Sequence, residues 1–62
     1  MGQRDVREIL KRLHTEGWEE EPGKGSHLIF RKKSHPTISV PTSKKELKKG
    51  TYADIARKAE WE

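Results

Sequence analysis

Only fourteen large apolar side chains are available to hold this chain together, and that scarcity constrains its fold more than any other feature. Eighteen of the 62 residues are apolar; three of these are alanines and one is Met1, which leaves the fourteen. A core of that size rarely supplies more than about 3–5 kcal/mol. It also leaves no room for a second domain, so residues 1–62 are expected to form one. There is no cysteine, so neither a disulfide framework nor a cysteine-based zinc site can staple the fold. The folded state is therefore either marginal alone or stabilised further by whatever binds it.

Charged residues make up 39% of the chain, a composition that invites disorder, but the apolar residues are placed periodically. Val6, Ile9, Leu10 and Leu13 fall at i, i+3, i+4 and i+7, one stripe of an amphipathic helix, with Arg4, Glu8 and Arg12 spaced for i,i+4 pairs on its wet side. Gly17 offers the left-handed stop, which predicts a first helix over about residues 4–16. Trp18 to Glu21 reads as a short acidic strand, and the turn Pro22-Gly23-Lys24-Gly25 follows. His27 to Arg31 is rich in β-formers, and Thr37 to Val40 alternates with period two before Pro41. Ser43 to Glu46 has capping-box spacing, so one short helical turn anchored by Leu47 is expected, closed by Gly50. Thr51 and Asp54 are then expected to cap a second helix carrying Tyr52, Ile55, Ala56 and Ala59 on its stripe. The order is α-β-β-β-α. An α+β domain follows, with a three-stranded antiparallel sheet and both helices on one face.

Charge is distributed unevenly. Residues 1–22 carry net −2 and residues 51–62 net −1, whereas residues 23–50 hold eight basic side chains against Glu46 alone, net +7. A concentrated positive segment attracts polyanions, of which RNA or DNA phosphate is the usual one; the plainer reading is a solubilising surface. No apolar run approaches the roughly 18 residues a membrane span needs, and no signal-peptide core is present. Together with the missing cysteines, this favours the cytoplasm.

Three histidines are scattered, with no paired His or Cys spacing, so no metal site is expected. His14 lies off the apolar stripe and reads as surface, and His35 as turn filler between Ser34 and Pro36. Glu19, Glu20 and Glu21 cannot converge on one cation, because consecutive strand residues point to alternate faces. They read instead as a charged edge that discourages strand addition. Gly23 and Gly25 are expected to supply unusual backbone angles in a hairpin turn, and their exposed N–H groups suit an anion. Lys44, Lys45, Lys48 and Lys49 flank the start of the second helix, where the dipole favours anions over cations; a phosphate ligand or a merely solvated run accounts for them. Trp18 and Tyr52 read as core and rim, and Trp61, near the end and off the stripe, is expected to be exposed. His27, at the junction of the glycine turn and a strand, reads from position alone as an exposed strand-end residue.

Gly23-Lys24-Gly25-Ser26-His27 followed by a strand resembles the glycine-rich turn and catalytic histidine of HicA toxins. Val40-Pro41, then Lys45-Glu46-Leu47-Lys48-Lys49-Gly50-Thr51, then Ile55 in a closing helix resembles the family's second pattern, in the right order. The resemblance covers essentially the whole chain. Two departures stand out. Many members end the second helix in Ala-Gly-Leu, where this chain has Ala59-Glu60-Trp61, and some carry a histidine shortly after the Val-Pro, where this chain has Thr42 and Ser43.

The resemblance implies a double-stranded-RNA-binding-like fold and a single HicA-like domain over 1–62. It implies metal-independent cleavage of mRNA by a toxin of a toxin–antitoxin pair, without a cofactor, and a HicB-like antitoxin as partner. Such a partner should be acidic and cover His27. Histidine suits the proton steps because its ordinary pKa of about 6.5 lies near working pH. On this reading His27 is catalytic, and Lys24, Gly25, Ser26, Arg31, Lys44, Lys45, Lys48 and Lys49 hold RNA. A non-catalytic double-stranded-RNA-binding module explains the fold and the basic belt as well, and an inactive relative that only engages the antitoxin is a third possibility.

Overall fold

A computed structural model of the chain describes residues 4–61. Helix α1 runs Val6–Thr15 and begins where Asp5 caps it: the carboxylate accepts the N–H of Arg7 at 2.9 Å and of Glu8 at 3.3 Å. It ends at Gly17, whose φ of +89° lets the Gly17 N–H reach the His14 carbonyl at 3.1 Å and the Trp18 N–H the Leu13 carbonyl at 3.0 Å. The helix is thus shorter at both ends than the periodicity predicts. The expected Arg4–Glu8–Arg12 ladder is replaced: Arg12 pairs with Glu16 at 3.1 Å, and Arg4 reaches the Leu47 carbonyl at 3.4 Å.

Strands β1 (Glu19–Pro22), β2 (His27–Arg31) and β3 (Ile38–Pro41) pair antiparallel in that order. Trp18, expected to open the first strand, precedes it, and is buried in the core at 4% exposure, as its reading as a core residue expects. Leu28 lies opposite Val40 and Phe30 opposite Ile38, so these four share one sheet face. That face meets Val6, Ile9 and Leu13 of α1 and Ile55 and Ala59 of the second helix in a single cluster, which puts both helices on the same side. The α-β-β-β-α sandwich expected from the pattern is the observed architecture.

The segment after β3 departs from expectation. No helical turn forms over 43–48. The chain runs extended beside the start of α1, where Lys45 gives its carbonyl to the Val6 N–H at 3.0 Å and Leu47 gives its N–H to the Arg4 carbonyl at 2.8 Å. Val6 carries one of the N–H groups that a helix leaves unpaired in its first turn, and this pairing satisfies it. Helix α2 then runs Lys49–Lys58, with Lys48 as N-cap, no side-chain cap bond, and Gly50 inside the first turn. Neither Thr51 nor Asp54 caps it; Asp54 is spent on Lys58 at 3.0 Å and Arg57 at 2.9 Å.

Helix α2 ends as α1 does, with the Trp61 N–H on the Ala56 carbonyl at 2.8 Å, but here Glu60 takes the left-handed position at φ 62°. Trp61 is not exposed as expected. Its indole N–H donates to Glu16 at 2.7 Å, the Arg12 guanidinium stacks 4.1 Å from the ring centre, and Tyr52 lies beside it. This clamp fastens the C-terminal end of α2 to that of α1.

Candidate functional site

His27 opens β2 opposite Pro41 of β3. Because Leu28 and Phe30 face the core, His27 shares the uncovered sheet face with Ile29 and Arg31, and its side chain is exposed. Its Nδ1 lies 3.2 Å from the Lys24 carbonyl oxygen. A carbonyl can only accept, so in this contact Nδ1 carries the hydrogen, and in the neutral ring Nε2 then keeps its lone pair.

The turn before His27 is closed by the Gly23 N–H, which donates to the His27 carbonyl at 3.0 Å. The two glycines serve it differently, contrary to the expectation of unusual angles at both. Gly25 has φ +60° with open space around it. Gly23 is required by close approach: a Cβ there would sit 3.0 Å from the His27 carbonyl oxygen and 3.0 Å from Cγ1 of Ile29. The Ser26 carbonyl accepts two hydrogen bonds from Thr42, from its N–H at 2.6 Å and from its hydroxyl at 2.7 Å.

Those bonds place the glycine turn beside the basic segment. Lys44 and Lys45 line an open groove of about 470 Å³ with Thr42 and with Val6, Arg7 and Leu10 of α1. Leu10 is only half-buried because this groove lies over it. Lys48 and Lys49 follow at the start of α2, and Lys24, Lys44, Lys45, Lys48 and Lys49 are all exposed and in no ion pair among the described residues. Arg31 differs. It sits at the far end of β2 from His27, about 13 Å away at strand spacing. Its guanidinium is engaged by Glu21 at 3.0 Å and Thr37 at 3.4 Å.

The other histidines lie elsewhere. His14 is exposed, pairs with Glu20 at 2.7 Å and meets the edge of Phe30. His35 is more enclosed than a turn filler would be: its Nδ1 lies 2.9 Å from the Lys33 carbonyl, its ring packs edge-on against Trp18, and Nε2 lies 3.4 Å from Glu60. Among the described residues no three of His, Cys, Asp and Glu come together as a metal site, and no helix is long and apolar enough to cross a membrane. Thr42 and Arg7 escape a reading of the sequence. Thr42 becomes visible only through the β2–β3 register, which sets Pro41 opposite His27 and hence Thr42 beside Ser26.

A family model described as HicA toxin of bacterial toxin-antitoxin matches residues 6–61. The chain belongs to the HicA toxin family. The match begins at the first residue of α1 and ends at Trp61, so it takes in the glycine turn, His27 and the lysine belt. As a HicA family member the chain is the toxin of a toxin–antitoxin system. Compared with curated proteins and with solved structures, it has no significant match. Its departure from the HicA pattern at the C-terminus leaves the helix end intact: Glu60 adopts the left-handed conformation in the place where Ala-Gly-Leu supplies glycine.

Proposed function

We propose that this HicA toxin is a metal-independent endoribonuclease that cleaves mRNA with His27 as its general acid/base. The observation that carries the reading is the imidazole itself. It is exposed on the uncovered sheet face, with Nδ1 turned to the Lys24 carbonyl so that Nε2 is left to exchange a proton with substrate. RNA brings its own nucleophile. The neutral imidazole takes the proton from a 2′-hydroxyl, the 2′-oxygen attacks the adjacent phosphorus, and the bond to the 5′-oxygen breaks. The products are a 2′,3′-cyclic phosphate and a 5′-hydroxyl, which takes its proton from water or from the imidazolium just formed. One positioned proton-transfer group is worth roughly 10²–10⁴-fold, so a single histidine predicts a slow enzyme.

Lys24 and the backbone of Gly25 and Ser26 stand next to the imidazole to receive the reacting phosphate. Lys44, Lys45, Lys48 and Lys49 take flanking phosphates, with Arg31 at the strand's other end reaching the backbone only after parting from Glu21. An acidic, HicB-like antitoxin silences the enzyme by covering His27 and this basic surface, because matched charge speeds its encounter. The cytoplasm is where mRNA and such an antitoxin would meet it.

The test is cleavage of a long single-stranded RNA in EDTA, wild type against His27→Ala. Cleavage in EDTA by wild type alone is expected, with the circular dichroism spectrum of the variant unchanged. Cleavage that persists in the variant moves the chemistry off His27. Activity that requires added Mg²⁺ refutes metal independence, and binding without cleavage, with a preference for duplex over single-stranded RNA, returns the chain to a double-stranded-RNA-binding module.

A further inference from the structure

We propose that Thr42 is the positioning residue of His27, holding it in the tautomer and orientation that leave Nε2 free; this rests on the reading of His27 as the proton-transfer group. The Ser26 carbonyl belongs to the peptide bond that joins Ser26 to His27. It accepts both the N–H and the hydroxyl of Thr42, at 2.6 and 2.7 Å. Rotation of that peptide would swing the His27 backbone relative to Lys24, whose carbonyl, 3.2 Å from Nδ1, selects the tautomer.

No other side chain among the described residues donates to the stretch from Lys24 to Ser26, apart from His27 itself. Among the described residues the turn is otherwise closed by the Gly23–His27 backbone bond, and Gly25 at φ +60° has no side chain to stiffen it. One β-branched hydroxyl residue just beyond the neighbouring strand therefore carries the orientation of the imidazole. Thr42 also lines the groove shared with Lys44 and Lys45, so the lysine belt and the imidazole are held in register through the same residue. Thr42 touches no substrate atom in this role and transfers no proton.

Thr42→Val keeps the shape and the backbone N–H bond and removes only the hydroxyl, and Thr42→Ser restores the hydroxyl. The imidazole ¹⁵N shifts of His27 report its tautomer without reference to activity. In wild type the Nδ1–H form should dominate; in Thr42→Val the Nε2–H form should gain. The kcat for RNA should fall about tenfold at unchanged KM, and Thr42→Ser should recover both. A purely structural role would move the melting temperature and leave the tautomer ratio alone. If Thr42→Val does not fold, Thr42→Ala against Thr42→Ser carries the same comparison. A wild-type tautomer ratio and kcat in the hydroxyl-less variant overturn the proposal. A wild type that cleaves no RNA while its tautomer still responds to Thr42 overturns the ribonuclease reading and leaves the positioning role standing.

Discussion

Replacing Glu60 with glycine should stabilise the domain. Glu60 closes helix α2 at φ 62°, a conformation in which a Cβ crowds the neighbouring carbonyl at a cost of about 1–2 kcal/mol. Glycine removes that crowding but brings back about 0.5–1 kcal/mol of unfolded-chain freedom. The carboxylate that would be removed is largely exposed and lies 3.4 Å from His35, a surface pairing of little weight. The balance is a gain of roughly 0.5–1 kcal/mol, and in a domain this small each kcal/mol moves the melting point by about 4–8 °C. Thermal unfolding followed by far-ultraviolet circular dichroism at neutral pH should therefore show a rise of roughly 2–8 °C. Glu60→Ala separates the two contributions, because it removes the carboxylate while keeping the strained backbone. It should melt at or below wild type. Equal melting points for the alanine and glycine variants would refute the claim that backbone conformation at Glu60 limits the stability of this end.

The remaining predictions concern charge. Burial pushes the Glu16 carboxyl up, but the hydrogen bonds from the Trp61 indole and Arg12, with the charges of Arg12 and Lys32, outweigh it and hold the pKa below its ordinary 4.5. Its stabilising contribution is therefore present above pH 4.5 and disappears as pH falls through the lower folded value. Glu16→Gln should be less stable than wild type at neutral pH, and that difference should close in urea titrations carried progressively below pH 4.5; a difference independent of pH would refute the linkage. Changing Lys44, Lys45, Lys48 and Lys49 together to alanine should weaken binding of single-stranded RNA and flatten its salt dependence by about 0.7 in log–log slope for each phosphate that is no longer neutralised. An unchanged slope in a filter-binding or anisotropy titration would return these lysines to a solvated surface.

Much of the fold was legible because local and global preferences agree. The stripe Val6, Ile9, Leu10, Leu13 could bury one face only as a helix, and Gly17 could stop it where it does. The strand His27–Arg31 and the period-two run ending at Val40 left the meander as the economical topology. The misreadings fall where long-range pairing overrode local signals. Ser43 to Glu46 has capping-box spacing, yet the unpaired N–H of Val6 recruits the Lys45 carbonyl and draws that segment out into an extended bridge. Thr51 looks like a cap, yet Lys48 takes the N-cap position directly after this bridge, and α2 begins at Lys49. Trp61 lies off its stripe, and nothing local announces that Glu16 and Arg12, from the other end of the chain, will enclose it.

The site is legible only in part for a related reason. Sequence places His27 after a glycine turn and gathers the positive charge into residues 23–50; Thr42 ties that turn to Lys44 and Lys45, whereas Arg31 and Lys32 lie toward the other end of β2, engaged by Glu21 and by the Glu16 carbonyl. What sequence alone does not fix is which atom of the imidazole is free, because that depends on a carbonyl three residues upstream. Nor does it show that Arg31, as basic as any lysine here, is already paired: Glu21 looks distant until the β1–β2 register sets it beside Ile29, diagonally across from Arg31. A cation that must first break such a pair should add less to RNA binding than a free one. Arg31→Ala should accordingly change affinity less than Lys44→Ala or Lys45→Ala, and Glu21→Gln, which frees the guanidinium, should tighten binding at low salt. An effect at Arg31 as large as at either lysine, measured by the same anisotropy titration, would show that the Glu21 pair yields to phosphate without cost.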